Sequence, residues 1–366
     1  MHCFRAASVR APHPHPSPRA APAVVASRAM RALWLERGQV RVRDDLPAPA
    51  PPPDECRVRV TLAGVCATDL ALARGYMGFA GVPGHEFVGV ALDGPLAGRR
   101  VVGEINAGCG SCPECAARDA RHCPRRTVLG ILGRPGALAE ELLLPARNLL
   151  AVPDEVRDEQ AVFAEPLAAA LHLVEQVPAP AGVAALVAGD GRLGLLCAHA
   201  LALAGARVTV AGRHPERAEL LPAGARHVTG WLEEDGAPGD FAPRAPLFPL
   251  AVEATGQPRT LARLLRHVTP RGTVVLKTTC EAPAELDLSG VVVHEQTLVG
   301  SRCGRLAPAL DVLARGIVPV ERLVQARYPL ARADEALAHA GRRGALKVLV
   351  STPPPPRGRW PTPTGS

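Results

Sequence analysis

The stretch VAALVAGDGRLGLLCAHALALAGARVTVAGR, residues 183–213, decides the fold. It contains a short apolar run, a turn with three glycines, a longer run with helical periodicity and a second apolar run. This order is typical of a strand, a helix and a strand in which the two strands are parallel. The alternation continues through PLAVEATG (249–256), a predicted helix near 260–267, and GTVVLKTT (272–279). The sequence therefore predicts an α/β fold with a doubly wound parallel sheet.

The three glycines of this stretch, Gly189, Gly191 and Gly194, end the first predicted strand and open the helix. Glycines at this spacing allow a tight turn, and they let a pyrophosphate approach the free N–H groups at the start of the helix. The position between a strand and a helix predicts a dinucleotide-binding turn, with Leu193 beside the third glycine.

The end of the second strand indicates which dinucleotide is preferred. A sheet that binds NAD usually carries an acid there, which binds the ribose 2′-hydroxyl. This chain has Gly212 at that place, followed by Arg213. A guanidinium without a neighbouring acid suits a 2′-phosphate, so the pattern favours NADP over NAD, and we expect Arg217 to stack over the adenine. The alternative is that both arginines are solvated residues at the start of a helix.

A cysteine-rich loop, CGSCPECAARDARHC (109–123), predicts a metal site. Four thiolates on one short loop can surround a tetrahedral Zn²⁺ at about 2.3 Å, and such a closed site is structural. The ligands would be Cys109, Cys112, Cys115 and Cys123. The alternatives are two disulfides, a redox-active cysteine pair, or a zinc ribbon of a nucleic-acid-binding module.

Three further segments suggest a second metal site: GVCATDL (64–70), GHEFVG (84–89) and FAEPLAAAL (163–171). Cys66, His85 and Glu165 would supply a thiolate, an imidazole and a carboxylate. Three such ligands leave the fourth tetrahedral position open, which is typical of a catalytic zinc. Each residue also has a structural alternative: a core cysteine, a buried histidine, and an acid near the N-terminus of a helix.

In their order along the chain these motifs resemble the zinc-containing branch of the medium-chain dehydrogenase/reductase superfamily, and within it the sorbitol and threonine dehydrogenases. The resemblance extends over about Met30 to Val350. It implies a Rossmann domain inserted into a β-rich, GroES-like catalytic domain.

The resemblance also implies roles for the residues of the second metal site. Cys66, His85 and Glu165 would hold a catalytic zinc, and Glu86 would be an alternate ligand. Asp69 would accept a hydrogen bond from His85 and fix its tautomer.

The same resemblance assigns the proton transfer to Thr68, whose hydroxyl would take the proton of the alcohol. Many relatives carry a histidine three residues later, where this chain has Ala71. The last step of a proton relay would then pass to water or to a ribose hydroxyl.

These features together predict a zinc-dependent oxidoreductase that transfers hydride between a secondary alcohol or polyol, or the corresponding ketone, and NADP or NAD. We expect one catalytic zinc, one structural zinc and a homodimer or homotetramer. Two alternatives remain open at this point. One is a metal-free quinone or enone reductase of the same superfamily, and the other is a non-enzymatic protein that binds zinc and a dinucleotide.

Charge and composition exclude other function classes. The net charge of +7 comes from seven arginines in residues 1–31 and 352–366, which contain no acid, so the body of the chain is neutral. A neutral body offers no phosphate-binding face for nucleic acid. No apolar run reaches the about 18 residues that a membrane span needs.

The predicted organisation has five parts. They are an N-terminal extension (1–29), a catalytic domain (30–172), the parallel-sheet domain (173–317), a return to the catalytic domain (318–351) and a tail (352–366). Both ends are rich in proline and lack apolar periodicity, which predicts flexible segments. The extension is rich in arginine, which suits either an organellar transit peptide or a start site placed too far upstream of Met30. We expect a cytoplasmic protein, with import into an organelle as the alternative.

Overall fold

The computed structural model describes residues 28–353, apart from residues 118, 178–180, 232–242, 280–285 and 287. The predicted flexible extension (1–29) and tail (352–366) therefore lie almost wholly outside the described residues.

The helices and strands follow one another in three groups along the chain. The first group is β1 (Ala29–Glu36), β2 (Gln39–Pro47), β3 (Glu55–Gly64), α1 (Ala67–Ala73), β4 (Glu86–Ala91), β5 (Arg100–Gly103), β6 (Asn106–Ala107), α2 (Pro113–Ala116), β7 (Thr127–Leu129), β8 (Gly133–Arg134), β9 (Glu141–Pro145), β10 (Leu149–Ala151), α3 (Asp158–Ala161) and α4 (Ala164–Gln176). The second is β11 (Ala184–Ala188), α5 (Arg192–Leu203), β12 (Arg207–Ala211), β13 (Arg226–Val228), β14 (Phe248–Glu253), α6 (Pro258–Leu265), β15 (Val268–Leu276), α7 (Leu288–Val293), β16 (Thr297–Gly300) and α8 (Leu306–Ala314). The third is β17 (Val324–Pro329), α9 (Ala333–Ala340) and β18 (Lys347–Ser351).

A seven-stranded sheet is built mainly from the first group. Its order is β10-β5-β4-β3-β18-β17, and β9 pairs with the first half of β3. Along β3 every second side chain is buried, as the alternation in CRVRVTL predicts for a strand with one face on the core. The C-terminal strands β17 and β18 belong to this sheet, although the second group of elements separates them from it in sequence.

The second group forms a six-stranded sheet of order β13-β12-β11-β14-β15-β16, in which every neighbouring pair is parallel. The strand order reverses at β11, and ligands of such sheets bind outside the carboxyl ends of the strands at this point. The turn that contains Gly189 and Gly191 directly follows β11. The predicted α/β class, with a doubly wound parallel sheet and a β-rich domain, is confirmed. The boundaries at residues 172, 317 and 351 stay predictions.

Helix α4 lies where the two sheets meet. It begins at Ala164, and Pro166 fits in its first turn because the N–H groups there have no partner within the helix. Leu167 of α4 is fully buried in one apolar cluster with Leu62 of the first sheet and Leu195 of α5. Burying one such side chain stabilises the fold by about 1.5–3 kcal/mol. A single core therefore connects the two sheets.

The helices are short. The longest in the described part of the chain is α4, with 13 residues. Within the same residues no helix combines the length and the apolar character needed to cross a membrane.

The glycine turn allows a test of the packing between α5 and β11. A Cβ placed on Gly194 would lie 2.0 Å from the carbonyl oxygen of Gly189, a backbone atom that cannot rotate away. We therefore expect Gly194→Ala to lower the free energy of unfolding by about 1–3 kcal/mol. Urea denaturation without cofactor measures this change.

Gly191→Ala is the matched control, because a Cβ at Gly191 would meet no atom within 4 Å. This variant should unfold at nearly the same urea concentration as the parent. Equal stability of Gly194→Ala and Gly191→Ala would contradict the close approach of helix and strand.

Candidate active site

Cys66, His85 and Glu86 come together because β3 and β4 are antiparallel neighbours. Gly64, the last residue of β3, pairs with Glu86, the first residue of β4. The chain leaves β3 through Cys66 and reaches β4 through His85, so the pairing brings both residues to the same edge. The thiol sulfur, an imidazole nitrogen and a carboxylate oxygen of the three residues all lie within 4.8 Å of one another.

Asp69 holds the two loops of this site in place. Its side chain is fully buried, and its oxygens accept hydrogen bonds from the backbone N of Cys66 at 2.8 Å and of Gly84 at 3.1 Å. The same carboxylate lies 3.4 Å from His85 Nδ1. Asp69 is the third residue of α1, so the start of this helix sets the position of both the thiol and the imidazole.

The side chains present suit a zinc ion. His85 is buried, and its Nδ1 lies 3.4 Å from Asp69 without a hydrogen-bond partner among the described residues, so the expected hydrogen bond to Asp69 stays a prediction. Burial alone would lower the pKa of His85, but the charges of Asp69 and Cys66 outweigh it and hold the pKa well above 6.5. A thiolate, an imidazole oriented by a carboxylate, and a second carboxylate form a donor set that zinc prefers.

Glu86 is bound to a buried lysine. Its carboxylate contacts the ammonium of Lys347, and both side chains are almost completely buried. The carboxylate reaches across the sheet because residue 64 is glycine: a Cβ there would lie 2.2 Å from Glu86 Oε2. The ammonium also lies 5.5 Å from the centre of the Phe163 ring. Glu86 is therefore neutralised within the protein.

Glu165 lies in the first turn of α4 and is outside the group of converging ligand atoms. The pKa of Glu165 is raised to about 7. Burial is the largest cause; the charges of His85, Lys347 and Lys277 lower the pKa, whereas the carboxylate of Glu86 raises it. Glu165 is thus close enough to His85 and Glu86 to interact with their charges.

Thr68 and Ala71 lie on α1, directly after Cys66. The hydroxyl of Thr68 is 3.7 Å from the sulfur of Cys66 and is partly accessible to solvent. Ala71 lies one turn later and carries no group that could transfer a proton. Thr68 thus lies beside the predicted ligand Cys66, and its role in proton transfer stays a prediction.

Two buried lysines were missed by sequence reasoning. Lys277 follows β15 and donates to the carbonyl oxygens of Ala169 at 2.6 Å and Arg302 at 2.8 Å, and to Ser301 Oγ at 3.2 Å. Burial lowers its pKa. A signal was present in the composition: among 42 basic residues only Lys277 and Lys347 are lysines, and both are buried near the two glutamates. A residue type that occurs only twice in an arginine-rich chain marks places where arginine does not fit.

The four cysteines of the loop also converge, with all four sulfurs within 4.8 Å of one another. All four are free thiols, so the structure does not support the disulfide alternative. A hydrogen bond from the Ser111 backbone is the main cause that lowers the pKa of Cys109 to about 5, and Arg125 donates to the same sulfur at 3.2 Å. A thiolate is the form that binds zinc.

Hydrogen bonds join the cysteine loop to the parallel-sheet domain. Arg121, which lies in the loop, donates to the carbonyl oxygen of Cys303 at 2.9 Å and is bound to Asp119. From the parallel-sheet domain, Arg302 donates to Oδ1 of Asn106 in β6 at 3.1 Å. The loop therefore contributes to the contact between the two domains, at residues that also adjoin Lys277.

The glycine turn lies against the loop that carries Cys66. Arg192, the first residue of α5, donates to the carbonyl oxygens of Val65 at 3.3 Å and Leu346 at 3.4 Å. These residues directly precede Cys66 and Lys347. Leu193 is half-buried and packs against the core. The predicted dinucleotide turn and the predicted catalytic metal site are thus direct neighbours.

The two arginines after β12 have different environments. Arg213 is exposed, as a residue that binds a phosphate would be. Arg217 is 6% exposed and donates to the carbonyl oxygens of Asp190 at 2.8 Å and Gly344 at 2.6 Å. The expectation that Arg217 stacks over the adenine needs correction, because its guanidinium is buried and joins the glycine turn to the C-terminal part of the chain.

Comparison with known families agrees with this architecture. Residues 52–154 match the alcohol dehydrogenase GroES-like domain, and residues 193–315 match the zinc-binding dehydrogenase family. The L-threonine 3-dehydrogenase of Streptomyces coelicolor is 31% identical over 357 residues, covering 90% of this chain and 98% of the relative.

Solved structures give the same result. A zinc-binding dehydrogenase from Sinorhizobium meliloti 1021, bound to NADP, is similar with a TM-score of 0.77 and 28% identity over 88% of this chain and 99% of the other. The alcohol dehydrogenase RspB from Escherichia coli CFT073, complexed with NADH, has a TM-score of 0.78 and 26% identity over 89% and 100%. The predicted resemblance is confirmed: the chain belongs to the zinc-type medium-chain dehydrogenase/reductase family and is an oxidoreductase.

Proposed function

We propose that this protein is a zinc-dependent dehydrogenase that transfers hydride between a secondary alcohol or polyol, or the corresponding ketone, and NADP or NAD. The observation that supports it best is the contact of Arg192 with the residues before Cys66 and Lys347. Hydride transfer needs the substrate carbon and the nicotinamide to lie side by side, and this contact joins the two half-sites. Threonine, the substrate in the name of the S. coelicolor relative, carries a secondary hydroxyl, which supports the substrate class.

Cys66, His85 and one carboxylate would hold the catalytic metal, and the four-cysteine loop would hold a structural one. When bound, the metal favours the ionised form of a substrate hydroxyl, and the nicotinamide exchanges the hydride. The chain itself supplies orientation and proton transfer. Asp69 fixes the imidazole of His85, and Thr68 holds the substrate proton at Oγ1. With Ala71 in place of a relay histidine, the proton leaves Thr68 through water or a ribose hydroxyl.

The zinc assignment predicts different losses at the two sites. We expect about two zinc ions per chain in the parent, and about one in both Cys66→Ser and Cys112→Ser. Cys112→Ser should lower the thermal midpoint because a closed structural site contributes to folding. Cys66→Ser should keep most of the stability and lose turnover of secondary alcohols, followed as reduced cofactor at 340 nm. Atomic absorption and thermal unfolding measure the two quantities.

The matched control is Cys197→Ser, because Cys197 is a fully buried residue of α5 and belongs to neither cysteine group. It should keep both zinc ions. Among the carboxylates we propose Glu165 as the ligand in the resting site, since Oε2 of Glu86 is already bound to the ammonium of Lys347. Loss of zinc from Glu86→Ala with retention in Glu165→Ala reverses this assignment. A parent without any zinc would favour the metal-free reductase instead.

The cofactor proposal is a preference for NADP. It rests on the exposed Arg213 beside Gly212, because a guanidinium can bind a 2′-phosphate through two hydrogen bonds. A charge-assisted hydrogen bond contributes about 1.5–3 kcal/mol, so NADP should bind more tightly than NAD by about one to two orders of magnitude. Arg213→Ala should remove most of this difference by weakening NADP, with little effect on NAD. Isothermal titration calorimetry with both cofactors measures it, and an equal loss for NAD and NADP would show that Arg213 acts otherwise.

The expected homodimer or homotetramer would form at the outer edge of the parallel sheet. Among the described residues β16 is one of the two edge strands, and the preceding helix α7 exposes Leu288, Val292 and Val293 at 58%, 74% and 64%. An unpaired strand edge next to exposed apolar side chains is typical of an interface. Val292→Asp should therefore shift the mass measured by light scattering towards the monomer. Met77→Lys, an exposed apolar residue of the other domain, should leave the mass unchanged; the same mass for all three proteins would contradict this interface.

A further inference from the structure

The side chain of Asp190 occupies the space that a side chain at position 212 would need. A Cβ built on Gly212 would lie 2.2 Å from Asp190 Cγ and Oδ2, and 2.5 Å from Asp190 Cβ. Position 212 directly follows β12, where sheets that prefer NAD carry the acid for the ribose 2′-hydroxyl. With Asp190 in the glycine turn, only glycine fits at position 212 after β12 without a collision.

Asp190 cannot replace that acid as a ligand of the ribose. Its Oδ2 accepts hydrogen bonds from the backbone N of His214 at 2.7 Å and from His227 Nε2 at 3.1 Å, and its Oδ1 accepts one from His214 Nδ1 at 3.0 Å. Arg217 Nη1 lies 3.5 Å from Oδ1. Three hydrogen bonds and the ion pair with Arg217 therefore engage both carboxylate oxygens. Because only 5% of the residue is exposed, the carboxylate is not accessible to a ribose hydroxyl.

The charge of Asp190 is also balanced within the protein. Burial raises the pKa of Asp190, but the hydrogen bonds from His214 and His227 outweigh it and keep the pKa below its usual value, so the side chain is ionised at neutral pH. The guanidinium of Arg217 compensates this negative charge. The exposed Arg213 adds a further positive charge next to this ion pair.

We propose that Asp190 is a specificity-determining residue for the cofactor. It keeps position 212 free of the acid that would repel a 2′-phosphate, and through the backbone N of His214 it anchors the chain directly after Arg213. This inference rests on the proposed preference for NADP. It adds that the preference for NADP depends on the contact between residues 190 and 212 as well as on Arg213.

Exchanging the two residues tests the packing without any cofactor. Gly212→Asp should lower the thermal midpoint by about 4 °C or more, because the new side chain collides with Asp190. Asp190→Gly should also be less stable, since it leaves His214 and His227 without their common acceptor and the buried Arg217 without its counter-charge. The double variant Asp190→Gly/Gly212→Asp should be more stable than Gly212→Asp. Glycine is needed at 190, because even the Cβ of an alanine would lie 2.5 Å from the new Cβ.

Cofactor binding to the same proteins tests the specificity. In the double variant an acid stands where NAD-binding sheets carry one, so the ratio of the dissociation constants should shift towards NAD by about tenfold or more relative to the parent. Calorimetric titration with NADP and with NAD measures this ratio.

The outcomes separate this inference from the cofactor proposal. If Gly212→Asp is as stable as the parent, or if the double variant is stable but keeps the cofactor ratio of the parent, the role of Asp190 is refuted. A parent that binds NAD more tightly refutes the NADP preference. In that case a rescued double variant still supports the packing of residue 190 against residue 212.

Discussion

A single buried carboxylate, that of Asp69, joins the two loops on which the residues of the candidate metal site lie. It accepts the backbone N–H groups of Cys66 and Gly84 and faces the imidazole of His85. A hydrogen bond to a charged acceptor contributes about 1.5–3 kcal/mol, and a buried donor without a partner costs a similar amount. The pairing of β3 with β4 brings the loops near each other, but it is this carboxylate that fixes their distance. The positions of the thiol and of the imidazole therefore depend on it.

Around this centre the protein buries charges of both signs. Lys347 comes from the first sheet and neutralises Glu86, whereas Lys277 follows a strand of the parallel sheet and binds the carbonyl oxygen of Ala169, one turn after Glu165 in α4. A buried charge is tolerated only when it is paired or fully hydrogen-bonded. Each domain thus contributes one ammonium group to the surroundings of the two glutamates. The site is complete only when the domains are in contact.

The sequence predicted the features that depend on local patterns. The alternation of strands and helices, the glycine turn and the four-cysteine loop are each contained in a short segment. Cys66 and His85 converge, but the carboxylate beside them belongs to Glu86, which was expected only as an alternate ligand, and not to Glu165. The features that the sequence did not predict depend on residues far apart in the chain. Glu86 and Lys347 meet only through the neighbouring strands β3, β4 and β18.

The environment of Arg217 was beyond sequence reasoning for the same reason. Its position after β12 suggests a surface residue near the cofactor, but the chain between α9 and β18 covers it and supplies the carbonyl oxygen of Gly344. The close contact between Asp190 and Gly212 could not be read from either motif alone, because it depends on how β11 lies beside β12. The packing of neighbouring strands therefore determines the surroundings of Arg217 and Gly212, which the motifs alone did not predict.

The burial of both lysines has a practical consequence for the chemistry of the protein surface. Reagents that acylate primary amines act on the deprotonated amine and need access to it. In the folded protein Lys277 and Lys347, the two lysines of the sequence, are 9% and 2% exposed. Amine-directed reagents would thus leave both lysine side chains of the folded protein unmodified. Acylation of a lysine, detected by mass spectrometry, would report that the junction between the domains has opened.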